Sequence, residues 1–169
     1  MPLRLALVFA LLIPMATLSQ DLTRWQDLSG TWRGEGVLRA APTADLEQGA
    51  CRFTIRSDSD TALAISGRCA TAAQTGQVST TLSRAASGAI TGSATSPLVA
   101  EPVSLTGRQT GARITLASTG PVAVDGQTYT LTSRLDGLSG EDVFSLVQEV
   151  TPSDGDPIIV MQMRFTRAP

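Results

Sequence analysis

The chain has 169 residues, with 13 basic and 15 acidic side chains and a formal net charge of −2 at pH 7. A slightly acidic net charge gives no electrostatic footprint for nucleic-acid binding. The sequence contains no histidine, which excludes Ser-His and Cys-His nucleophile pairs and removes the commonest metal ligand. Binding, inhibition and a carboxylate-based reaction remain as functions to consider.

Residues 1–19 have the pattern of a secretory signal peptide. Arg4 supplies the positive charge near the start, and residues 5–12 form a continuous apolar run. This run is shorter than the roughly 20 residues that cross a bilayer. We expect cleavage after Ser19, which leaves residues 20–169 as a single β-barrel domain with no transmembrane segment. A tilted membrane anchor is the alternative.

The amino-acid usage predicts the source and the compartment. The chain contains no lysine and no asparagine, and every basic residue is arginine. This bias is typical of GC-rich genomes, so we expect a GC-rich Gram-negative bacterium. With a signal peptide, the expected location is the periplasm or the medium, where disulfides form and persist.

A turn structure is predicted just after the signal peptide. Leu22, Trp25 and Leu28 recur at intervals of three residues, so a short helical turn would place them on one side. Such a turn could plug one end of a barrel. A poorly ordered N-terminus is the alternative.

A disulfide-closed hairpin is predicted between Cys51 and Cys69. Residues 51–56 and 63–69 alternate apolar and polar side chains, as half-buried strands do. Folding about Asp60 places the two cysteines opposite each other, with Cα atoms roughly 4.5–5.5 Å apart, a separation that a disulfide can bridge. Two buried free thiols are the alternative.

The same register has two further consequences. It places the ring of Phe53 across Gly67, whose backbone would otherwise be uncovered. It also places Arg52 directly opposite Arg68 on the outer face, where like charges destabilise a strand pair. We therefore consider an anion or a partner contact at these arginines, with Glu35 of the neighbouring strand as one candidate. Two solvated arginines that splay apart are the alternative.

The first strand is predicted over residues 28–38. Trp32, Gly34, Gly36 and Leu38 share one of its faces, and glycines inside a strand often mark a sharp bend or a close backbone approach.

The segment Gly30-Thr31-Trp32 resembles the G-x-W motif of the calycins, which include lipocalins, avidins and bacterial metalloprotease inhibitors. The two-cysteine hairpin that follows is closer to the inhibitor members and to small exported Gram-negative barrels. This resemblance implies an up-and-down barrel whose base is closed by Trp32. It also implies that an arginine of the last strand, Arg164 or Arg167, packs on that tryptophan.

The pattern of the rest of the chain predicts short strands separated by glycine turns. Residues 40–49 are predicted to form a loop. The later strands are predicted over residues 77–84, 89–96, 103–107, 112–118, 128–135, 142–150 and 158–167. The third and fourth of these would pair with Val103 opposite Leu116 and Leu105 opposite Ile114. Nine or ten short strands predict an all-β fold, an antiparallel up-and-down barrel of about eight to ten strands, with a sandwich as the alternative.

The inward-facing side chains of such a barrel would be large and apolar. They either line a ligand cavity, because methionine adapts to irregular shapes, or fill a solid core. The candidate lining residues are Phe53, Tyr129, Phe144, Met161, Met163 and Phe165.

Few residues could carry chemistry. Nearly all acids fall in turns, and only Glu35 and Glu149 lie in mid-strand. The pairs Asp58–Asp60 and Asp154–Asp156 lack the ligand number of a calcium loop, so we expect no metal and no cofactor.

We therefore expect a non-catalytic, inhibitor-like binding protein of the cell envelope. It would contact an envelope protein through one rim of the barrel, using loops and the N-terminal segment. The alternative is a lipocalin-like carrier of a small apolar ligand. An enzyme with a carboxylate site is a third hypothesis.

Overall fold

The computed structural model describes residues 22–138 and 142–169, so the expected signal peptide lies outside the described residues. A 3-10 turn, Trp25–Leu28, precedes the first strand and is the one helical element of the described chain. The strands are β1 Gly30–Arg39, β2 Leu46–Ser59, β3 Ala62–Thr71, β4 Thr75–Arg84, β5 Ala89–Thr95, β6 Val103–Thr110, β7 Arg113–Ser118, β8 Val122–Val124, β9 Gln127–Asp136, β10 Val143–Pro152 and β11 Ile158–Arg167.

The strands of the described residues close into an antiparallel barrel. Each strand pairs with its neighbour in sequence except that β7 and β8 both pair with β9, and β11 pairs with β1 to close the barrel. The other edge of β9 is shared, because β7 covers one half of it and β8 the other. Strands β7 and β8 therefore act as one interrupted strand, and the barrel has ten positions. This confirms the predicted up-and-down barrel, at the upper end of its predicted size.

The disulfide-closed hairpin is confirmed. Cys51 pairs with Cys69 in register and bonds to it, with Cα atoms 4.0 Å apart. Phe53 lies opposite Gly67, and a Cβ at Gly67 would lie 2.6 Å from a carbon of the Phe53 ring. The turn is tighter than the sequence suggested, because Ser59 already pairs with Ala62 after an irregularity in β2.

Two local expectations are wrong. Strand β2 begins at Leu46, inside the predicted loop 40–49, because Leu46 to Gly49 pair with the end of β1. In the β6–β7 hairpin, Leu116 faces Gly107 and Ile114 faces Gln109, a shift of four residues from the predicted register. The turn falls at Gly111, whose positive φ of 54° suits glycine.

Strand β8 and its hairpin were not predicted. Asp125 and Gly126 both have positive φ, as a tight type I′ turn between two antiparallel strands requires. This turn joins β8 to β9 at the end of the barrel where β1 ends and β2 begins. We call that end the open end and the opposite one, which holds the Trp25–Leu28 turn, the closed end.

The barrel core is filled by aromatic rings near the closed end. Phe165 stacks on Phe53 with ring centroids 4.7 Å apart and on Phe144 at 4.8 Å, and Phe144 meets Trp32 edge-on at 4.9 Å. Such pairs contribute beyond their buried area. Gly34 leaves room for this stack, since a Cβ there would lie 2.5 Å from the Phe165 ring.

Among residues 22–138 and 142–169, no helix is long and apolar enough to cross a membrane.

Candidate functional site

The closed end is plugged by the N-terminal segment. Trp25 is fully buried and its indole Nε1 donates a hydrogen bond of 2.8 Å to Oε1 of Gln109. Arg84 donates to the same oxygen and to the backbone oxygen of Thr23, and its guanidinium lies 4.8 Å from the Trp25 ring. Burial lowers the pKa of Arg84 below its usual value, with Asp60 opposing the shift. The predicted helical turn therefore exists as a 3-10 turn that seals this end.

A second arginine–tryptophan pair completes the closure. The guanidinium of Arg167 lies 4.4 Å from the Trp32 ring and donates hydrogen bonds to the backbone oxygens of Asp27 and Ser29. Of the two arginines named from the sequence, Arg167 makes the contact with Trp32. Arg164 instead faces solvent on the outside, opposite Glu35, because it is three residues away on an alternating strand.

The open end holds an apolar cavity. It has a volume of about 150 Å³ and extends into the barrel interior, where residues of every strand except β1 and β7 line it. A smaller cavity of about 120 Å³ adjoins it and shares part of its lining. The shared lining residues are Val78, Ser96, Leu98, Gln148, Val160 and Met161. The loop between β5 and β6 covers this entrance, and its Leu98 is 36% exposed.

The residues named from the sequence as cavity lining divide into two groups. Phe53 and Met161 line the cavity. Phe144, Met163 and Phe165 are buried in the core below it, where the aromatic stack leaves no space. Tyr129 belongs to a separate cluster with Val122, Val124 and Val150 beside the open end. The barrel is thus solid at its closed end and hollow at its open end.

The lining is mostly apolar, with the hydroxyl side chains of Thr80, Thr95 and Ser96 and the amide of Gln148 as its polar members in the larger cavity. Gln148 lines both cavities, and its Nε2 donates a hydrogen bond of 3.1 Å to the hydroxyl of buried Ser133. Within the described residues, its carbonyl oxygen accepts no hydrogen bond from protein. A ligand in the cavity would therefore meet a mostly apolar wall in which the Gln148 carbonyl oxygen is an available acceptor.

Other surface features are less suited to enclose a ligand. A groove of about 400 Å³ between residues 99–104 and 119–123 lies outside the barrel between two loops and is open to solvent. The mid-strand acids Glu35 and Glu149 both alternate with inward-facing residues, so they lie on the outer face. Among the described residues, no group of three His, Cys, Asp or Glu side chains could hold a metal ion.

The outer face carries a row of arginines. Arg52 lies directly opposite Arg68, as the hairpin register predicts, and Arg33 of β1 lies opposite Arg52 on its other side. Glu35 does not stand between them, because it pairs with Ala50 and Arg164. The third arginine was missed because the β1–β2 register could not be read from the sequence across a loop.

Comparison with known proteins identifies a similar fold. No protein-family model and no curated protein matches this chain. A solved structure is similar to it. The crystal structure of Rv2717c from M. tuberculosis matches with a TM-score of 0.68 and 14% sequence identity, over 88% of this chain and 100% of that one. At this identity the likeness extends to the fold alone.

Proposed function

We propose that this protein is an exported, non-catalytic binding barrel that holds one small apolar molecule at its open end. The observation that supports this proposal is the cavity of about 150 Å³ lined by Phe53, Val78 and Met161. An apolar cavity of about this volume is large enough for a molecule of the size of benzene. The sequence resemblance to calycins supports the same proposal, because lipocalins carry ligands inside a barrel.

The geometry favours the carrier over the inhibitor-like alternative. An inhibitor that acts through its N-terminal segment needs that segment free to enter a partner's cleft. Here Trp25 and Leu28 are buried in the closed end, so the segment from Trp25 onward stabilises the barrel instead. The periplasmic or secreted location remains part of the proposal and draws support from the Cys51–Cys69 disulfide.

Gln148 defines the kind of ligand. Its carbonyl oxygen would accept one hydrogen bond from a molecule that is otherwise apolar. Since a neutral hydrogen bond contributes about 1 kcal/mol net, replacing Gln148 by Met should lower the ratio of phenol affinity to toluene affinity about fivefold. Toluene, which has a methyl group in place of the hydroxyl, should bind this variant as it binds the wild type.

The proposal is tested by a substitution that introduces a larger side chain into the cavity lining. Ala94 lines the cavity on β5, so Ala94→Leu should occupy the space and weaken toluene binding at least tenfold by calorimetric titration. Ala64 faces solvent on β3, and Ala64→Leu is the matched control that should bind as the wild type does. Equal binding by both variants, or no binding by the wild type, would contradict the proposal.

A further inference from the structure

The arginine side chains on one wall of the barrel differ from the other arginines in having no partner within the described residues. The side chains of five arginines of the described chain make no hydrogen bond and no ion pair with any described residue, and all five residues are exposed. They lie on the outer faces of the adjacent strands β11, β1, β2 and β3. This group, which we call the arginine wall, consists of Arg33, Arg52, Arg56, Arg68 and Arg164.

The other arginines of the described chain are engaged. Arg167 pairs with Asp142, and both Arg113 and Arg134 pair with Asp136. The whole chain carries a net charge of −2. An unpaired positive wall can therefore form only because most acidic side chains lie elsewhere on the molecule. The acidic loops lie at the two ends of the barrel, and Glu35 is the acid within the central part of the wall.

Repulsion between neighbouring arginines destabilises the centre of the wall. Arg33, Arg52 and Arg68 stand side by side on three adjacent strands. Neighbouring strands are about 4.8 Å apart, so the three Cα atoms span about 10 Å. Like charges directly opposite each other destabilise a sheet, and this row contains two such pairs. An anion that bridges the guanidinium groups would relieve the repulsion.

The surroundings of the row indicate the kind of anion. Protein interfaces usually have an apolar or aromatic centre. Beside the row the wall instead presents small hydroxyl side chains, Thr54 and Ser66. Binding here must therefore be electrostatic, and guanidinium forks match phosphate oxygens in geometry. A wall with several separate positive charges suits a surface that presents many phosphates.

We propose that the arginine wall binds the phosphate groups of an anionic phospholipid surface. The barrel would then lie on its side against the membrane, with its axis along the surface. In this orientation the open end faces sideways, next to the interface, where small apolar molecules concentrate. Leu46, at the open-end limit of β2 and 41% exposed, would lie close to the same interface. This inference stands independently of the cavity ligand.

Co-sedimentation with vesicles tests the inference. The full mature protein should bind phosphatidylglycerol-containing vesicles and leave pure phosphatidylcholine vesicles unbound, and added salt should weaken the binding as it screens exposed charges. Each arginine near an anionic leaflet contributes about a fivefold change in affinity. The triple variant R33Q/R52Q/R68Q should therefore bind about 100-fold more weakly.

A matched control separates the wall from net charge. The variant R24Q/R108Q/R134Q loses the same charge from exposed positions outside the wall and should keep most of the vesicle affinity. Equal losses in the two triple variants would overturn the inference, as would absence of binding by the wild type. Binding of the wild type to polyglutamate but not to vesicles would also overturn it, in favour of an acidic protein partner. Thermal unfolding of each variant verifies that the barrel remains folded.

Discussion

The ring of Phe165 should be the most costly single side chain to remove from the barrel. It is fully buried, stacks on Phe53 and Phe144, and lies over Gly34, which has no side chain to move into a vacated space. Truncation of a buried phenylalanine costs about 3–5 kcal/mol. Because the neighbours here cannot close the gap, we expect F165A to fall at the upper end, about 4–5 kcal/mol.

Such a loss is large relative to the free energy of unfolding of the whole domain. A domain of this kind is stable by about 5–15 kcal/mol, so F165A should remove about a quarter of its stability or more. The assay is guanidinium unfolding without reductant, monitored by the fluorescence of Trp25 and Trp32, which are both fully buried. The control is L46A, which truncates an exposed side chain and should change stability by less than about 0.5 kcal/mol. A cost below about 2 kcal/mol for F165A would refute the role given to the aromatic stack.

Three further perturbations test the rest of the fold. Replacing Cys51 and Cys69 together by Ala should cost about 3 kcal/mol by chemical denaturation, as loop closure predicts, and an unchanged midpoint would contradict the contribution assigned to the bridge. Gly67→Ala would place a Cβ 2.2 Å from the backbone oxygen of Arg52, so we expect a loss of about 1–3 kcal/mol, whereas unchanged unfolding would show that the close approach is absent. Hydrogen bonding from Arg113, opposed by burial and supported by Arg134, lowers the pKa of Asp136 below its usual value of 3.8. Its stabilisation is therefore present above that pH and lost as the pH falls through the lower folded value. The Tm difference between wild type and D136N should accordingly shrink in acid, from a contribution under about 1 kcal/mol at neutral pH, and a difference independent of pH would be inconsistent with the ion pairs.

Local patterns in the sequence predicted the barrel wall well. The alternation on both sides of Asp60 specified the register of Cys51 with Cys69, because a one-residue slip would turn every core side chain outward. The same alternation identified the inward faces of β9, β10 and β11. It could not fix the β6–β7 register, since a shift of four residues keeps the same faces inward. The sequence signal for the missed β8–β9 hairpin is Asp125-Gly126 between apolar alternating residues.

Features that depend on distant contacts could not be predicted. Gln109 lies 84 residues from Trp25 and accepts its indole hydrogen bond inside the closed end, which no local pattern encodes. The division of the interior into a filled half and a hollow half also depends on how rings from β1, β2, β10 and β11 meet. Residue types alone left a solid core and a cavity open as alternatives.

Native mass spectrometry of the protein, purified from its native source without reduction, tests the central proposal most directly. The account predicts a mass that includes loss of two hydrogens at the Cys51–Cys69 disulfide, together with additional mass from a small bound molecule that disappears on denaturation. A bare polypeptide mass that also takes up neither toluene nor phenol when they are added would contradict the binding-barrel account.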